Sequence, residues 1–80
     1  MMRARITITL REGVLDPQGK AIEGALSALG FAGLGNVRQG KYIELELAER
    51  DSDKARASVA AMCEKLLANT IIENYAIELA

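Results

Sequence analysis

The chain has no histidine and no tryptophan, and only one cysteine, one proline and three aromatic residues. Each shortage excludes something. Without histidine there is no Ser-His or Cys-His catalytic pair, and the commonest zinc frameworks are missing. A single cysteine, Cys63, permits no internal disulfide. Phe31, Tyr42 and Tyr75 are too few for a base-stacking platform. No apolar run approaches the ~20 residues of a membrane span. The start, Met1-Met2-Arg3-Ala4-Arg5, has no apolar stretch of the signal-peptide kind. A formal net charge of −1 leaves no electrostatic footprint for nucleic acid. The expectation is a cytoplasmic protein that binds neither membrane nor nucleic acid.

Eighty residues make one small domain, 1–80. A chain this short buries only roughly 60% of its unfolded surface. With disulfides and zinc frameworks removed, oligomerisation is the remaining source of added stability.

Hydrophobic periodicity gives the elements. Residues 3–10 alternate, with Ala4, Ile6, Ile8 and Leu10 on one side and Arg3, Arg5, Thr7 and Thr9 on the other. That is a half-buried strand. Asp16 then fits a helix N-cap and Pro17 the first helical position. Ile22, Ala25, Leu26 and Leu29 form one helical face, and Gly30 falls where a left-handed C-terminal residue is wanted. Around Gln39-Gly40 two readings stand: a reversal between a short strand at Val37-Arg38 and a longer one, or a bulge within one bent strand. In residues 42–47, Ile43, Leu45 and Leu47 face the core, whereas Tyr42, Glu44 and Glu46 face away. Asp51-Ser52-Asp53 opens a second helix with acid at its positive end. Its stripe is Ala55, Val59, Met62, Cys63, Leu66 and Leu67, and Asn69 is the expected stop. A last strand covers Ile72 to Leu79, with Tyr75, Ile77 and Leu79 on one face.

The order is β-α-(β)β-α-β. Strands with one apolar face call for helices on one side only, a small ferredoxin-like α+β unit with an antiparallel sheet and two helices on one face. The other face carries Thr7, Thr9, Glu44, Glu46, Asn74 and Glu78.

Few motifs carry chemistry. Cys63 lies on the apolar stripe and reads as a small core residue, not as a nucleophile. The glycines of Gly30-Phe31-Ala32-Gly33-Leu34-Gly35 follow a helix, whereas a phosphate loop must lead into one. They read as a helix cap and loop. Glu44 and Glu46 share a strand face roughly 7 Å apart. Such a pair can do acid–base work or hold magnesium, but pairing with Arg3 or Arg5 on a solvated face is the favoured reading. Val14, Leu15, Phe31 and Leu34 either close the core edge or extend it into a subunit contact. The residues alone describe a binding or assembly module with no catalytic residue, no metal ligand set and no bound cofactor.

Three stretches carry a resemblance. They are Glu12-Gly13-Val14-Leu15-Asp16-Pro17-Gln18-Gly19-Lys20-Ala21, then Val37-Arg38-Gln39-Gly40-Lys41-Tyr42-Ile43-Glu44-Leu45, then Met62-Cys63-Glu64-Lys65-Leu66-Leu67-Ala68-Asn69 with Ile72-Glu73-Asn74-Tyr75 after it. In order, spacing and total length the chain resembles the PurS family, small subunits of phosphoribosylformylglycinamidine (FGAM) synthase. Thr70 stands where the family often has proline. The resemblance implies a non-catalytic subunit, acting as a dimer, that bridges the PurQ glutaminase and the small-type PurL synthetase and assists ammonia transfer. The complex converts formylglycinamide ribonucleotide (FGAR), glutamine and ATP into FGAM, glutamate, ADP and phosphate. ATP and Mg2+ are then used by the synthetase subunit. Candidate subunit-interface residues are Asp16 and Gln18 at the first helix start, and Lys41, Tyr42 and Glu44 beyond Gly40. Asp16 also has a structural role as a cap, as Gly40 has in a turn. The rival reading is an ACT-type regulatory dimer that senses a small molecule. An acylphosphatase-type enzyme is disfavoured, because Glu12 lies beside Arg11 where an anion-cradling loop would be needed.

Overall fold

A computed structural model describes residues 1–80. The central strand is β1 (Met2–Leu10), flanked by β2 (Gly40–Leu47) and β3 (Glu73–Leu79) in an antiparallel sheet of order β2-β1-β3. The register obeys the period-two pattern. Ile6 lies opposite Ile43 on one side and Ile77 on the other, and Ala4 lies opposite Leu45 and Leu79. A slip of one residue would turn every one of these side chains to the wrong face. Ala4, Ile6 and Ile8 are fully buried at the sheet centre.

The second helix, α2 (Ser52–Met62), is capped by Asp51, whose carboxylate accepts the N–H groups of Asp53 and Lys54. Ala55, Val59 and Cys63 recur every four residues and are fully buried against the sheet. The helix continues as a π-helical turn, Cys63–Leu67, closed by the Ala68 N–H donating to the Cys63 carbonyl at 3.0 Å. This wider turn changes the angular phase of the side chains along it. Leu66, expected in the stripe, is therefore 82% exposed, and Met62 is also exposed, whereas Leu67 packs against the core. Ala68 is extended and ends the helical run. Asn69 then organises the turn into β3, its carbonyl accepting the N–H groups of Ile72 and Glu73.

The first helix, α1 (Pro17–Ala28), has the expected ends. Asp16 caps it and Pro17 opens it. Gly30 adopts φ 99°, and the Gly30 and Phe31 N–H groups bond the Ser27 and Leu26 carbonyls, a Schellman closure.

The expected α+β class and antiparallel sheet are present, with one difference in placement. It is α2 that packs on the sheet. α1 stands off it, and its stripe is open, with Ile22 40% and Leu29 75% exposed. The cause is a clasp to the returning chain. The Asp16 carboxylate accepts the N–H of Gly19 at 2.9 Å and of Gln39 at 2.8 Å. Glu23 accepts the Val37 N–H at 3.4 Å. Gly19 is so close to this segment that a Cβ would sit 2.3 Å from the Val37 carbonyl oxygen. Val37 and Gln39 therefore give their N–H groups to side chains of the α1 region, and residues 37–39 form no strand. Neither a short strand at Val37-Arg38 nor a reversal or bulge at Gln39-Gly40 is formed. Gly40 is the first residue of β2, opposite Thr9, where a Cβ would meet the Ile8 carbonyl oxygen at 2.6 Å. Close approach, not a turn, requires glycine there.

Candidate functional site

Of the five candidate interface residues, three meet in one place. Asp16 and Gln18 at the start of α1 and Lys41 at the start of β2 line a cleft of about 280 Å3, with Ile8 and Leu10 also in its wall. The cap makes this junction possible, because Asp16 binds its own helix through Gly19 and the incoming strand through Gln39. The hydrogen bonds from Gln39 and then Gly19 hold the Asp16 carboxyl below the usual carboxylate range. The Gln39 side-chain amide donates to the Gln18 side-chain carbonyl across the mouth. The Lys41 ammonium lies 3.5 Å from the Glu73 carboxylate of β3. Arg38 fixes the back of the junction, its guanidinium donating to the Leu10 and Arg11 carbonyls at 2.7 and 3.2 Å.

Arg38 and Gln39 were outside the site expected from the sequence. Both stand in the second stretch that carries the family resemblance, but their contacts reach back 21 to 28 residues and no local pattern shows them.

Tyr42 and Glu44 lie elsewhere. Strand alternation puts Lys41 on the inner side with Ile43, so Tyr42 and Glu44 occupy the outer face. Lys41 is thereby separated from Tyr42 and Glu44, although all three follow Gly40 in the chain. On that face the Tyr42 hydroxyl donates to Glu44 Oε1 at 2.7 Å, and this bond raises the Tyr42 pKa above its ordinary value. Arg5 lies between two acids, 2.9 Å from Glu78 and 3.9 Å from Glu44. The bond to Glu78 is the main cause that raises the Arg5 pKa. Arg3 faces Glu46 at 3.7 Å. Glu44 and Glu46 thus each face an arginine, as the ion-paired reading expected. The result is a polar ladder with one aromatic ring, Tyr42, standing 56% exposed.

Other candidates take no part. Cys63 is fully buried, and burial pushes its thiol pKa up, the reverse of an activated nucleophile. Gly30 and Gly33 take left-handed φ values in a loop leaving α1. Leu15, Phe31 and Leu34 do not close the core edge; all three are exposed.

The candidate residues fall into two polar groups on opposite sides of one sheet. Comparison with known proteins gives the family. Residues 3–80 match the family model described as PurS, phosphoribosylformylglycinamidine (FGAM) synthase. A Synechocystis phosphoribosylformylglycinamidine synthase subunit PurS is 51% identical over 75 residues, 94% of this chain and 75% of that protein. The crystal structure of Methanocaldococcus jannaschii PurS superposes with a TM-score of 0.90 at 39% identity, covering 100% of this chain and 96% of the other. A chain in the structure of PurLQS from Thermotoga maritima superposes with a TM-score of 0.87 at 30% identity, covering 100% and 99%.

Proposed function

This chain belongs to the PurS family, and on that basis we propose that it bridges the glutaminase PurQ and the synthetase PurL and assists the passage of ammonia between them. It is a subunit of FGAM synthase, a ligase complex of purine biosynthesis. The observation that carries the bridging role is the end-to-end likeness to the chain in PurLQS, joined to a two-sided surface. The Asp16–Gln18–Lys41 cleft is on the inner side of the sheet and the Tyr42–Glu44 ladder on the outer. A thin molecule with one polar surface on each side can touch two larger partners at once.

In this reading the chain itself holds no cofactor. ATP and Mg2+ belong to the synthetase, which works on FGAR, while glutamine is hydrolysed on the glutaminase. The chain acts as a homodimer in the cytoplasm. Its contribution to the reaction is positional: holding two active sites in one assembly keeps ammonia local, so the transfer is effectively intramolecular. The ligand-sensing regulatory dimer shares the strand-and-helix layout but not the family match.

The interface residues are tested by substitution. A Gln18→Ala/Lys41→Ala double variant and a Tyr42→Ala variant are expected to keep the far-UV circular dichroism of the parent. Each is expected to weaken capture of a partner subunit at least about tenfold, which is ~1.4 kcal/mol. If both bind PurQ and PurL as tightly as the parent, these surfaces are not the interfaces.

A further inference from the structure

The outer face of the sheet carries a shelf beside its ion pairs. Across this face the register sets Glu46 beside Arg3, Glu44 and Glu78 on either side of Arg5, and Tyr42 and Ala76 on either side of Thr7. α2 packs on the opposite face, over Ala4, Ile6 and Ile8. The row of Tyr42, Thr7 and Ala76 holds no charge. Thr7 and Ala76 are small and exposed, and they floor a shallow cleft of about 320 Å3 walled by Tyr42, Arg5 and Glu78.

The Tyr42 ring is held in place. Its hydroxyl donates to Glu44 Oε1 at 2.7 Å, which fixes the ring and feeds electron density into it. A ring held in this way is a preorganised platform for a cation. The charges favour a cation too. Three carboxylates and two guanidiniums stand on this face, a surplus of one negative charge. Arg5 is shared by two acids, 2.9 Å from Glu78 and 3.9 Å from Glu44, so the surplus lies beside the shelf. The Glu78 side chain is 71% exposed, and Arg5 engages its Oε1. A carboxylate has lone pairs for a second guanidinium.

We propose that the shelf receives an arginine side chain of a partner subunit, stacked on the Tyr42 ring above Thr7 and Ala76 and paired with Glu78. Arginine fits better than lysine, because its flat guanidinium is weakly hydrated, stacks on a ring and pairs with carboxylate through two donors. An apolar side chain would desolvate Glu78 with nothing to pair it. A second copy of this chain would set the same negative surplus against itself. The proposal rests on the reading of Tyr42 and Glu44 as interface residues and names the chemistry that meets them.

Capture of PurQ and PurL by the full chain, with ATP, Mg2+ and glutamine present, tests it. Tyr42→Phe keeps the ring and is expected to weaken capture about threefold. Tyr42→Leu and Glu78→Gln are each expected to weaken it about tenfold or more, with the circular dichroism of the parent. The Glu78→Gln loss is expected to shrink as salt rises from about 50 to about 500 mM, because an exposed ion pair is screened. Phenylglyoxal, which modifies guanidinium groups, is then applied to the saturated complex and read by peptide mass spectrometry. A partner arginine is expected to be shielded by the parent chain and to react when Tyr42→Leu replaces it at matched occupancy. Parent-like capture by Tyr42→Leu or Glu78→Gln, or no partner arginine shielded, would overturn the proposal. So would a change in the chain's own association with partner capture unaltered, which would put a second copy on this face. Tyr42→Ala separates the two readings. If it weakens capture while Tyr42→Leu does not, the face is an interface without a stacked arginine. If it leaves capture unchanged, the interface reading itself fails.

Discussion

At the scale of single residues, Asp16 does the most. One carboxylate closes the start of α1 through Gly19 and holds the chain entering β2 through Gln39. Those bonds stabilise the ionised form, so its folded pKa lies below the ordinary value. This stabilisation is therefore complete above the unfolded value of about 3.9 and is lost as pH falls through the lower folded value. Asp16→Ala is expected to lower Tm at neutral pH, and the gap to the parent is expected to narrow below about pH 4. Thermal melts across the acid range check this, and a gap independent of pH would contradict it. Half of this role was legible in the sequence, because Asp-Pro before an apolar period reads as a cap. The bond to Gln39 was not, since it links residues 23 apart.

At the scale of elements, strands were easier to read than helix placement. Every strand declared its faces through alternation, and the register kept them together. Both helices declared their starts. The departures came from backbone geometry that side-chain patterns do not encode. The π-helical turn changes the phase of α2 after Cys63, so Leu66 leaves the core that a straight helix would have given it. Residues 37–39 lose their strand because the Val37 and Gln39 N–H groups are taken by Glu23 and Asp16. The stripe of α1 was visible, but not what it faces. Core energetics make the helix phase testable by urea titration. Ile6→Ala, at a fully buried site, is expected to cost about 2–5 kcal/mol. Leu66→Ala is expected to stay within about 0.5 kcal/mol. Equal losses at the two sites would mean that the helix is not re-phased.

At the scale of the whole molecule, only 8 of 80 residues are buried, and the long shape leaves apolar surface uncovered. A core this small leaves a thin stability margin. The family makes this chain a subunit of FGAM synthase, and the two-sided sheet is what the proposed bridging role draws on. The direct test combines this chain with the glutaminase and synthetase from the same source and monitors FGAM formation. Glutamine-dependent synthesis is expected to require this chain, whereas the synthetase supplied with ammonium chloride is expected to proceed without it. Equal glutamine-dependent rates with and without the chain would contradict the bridging role.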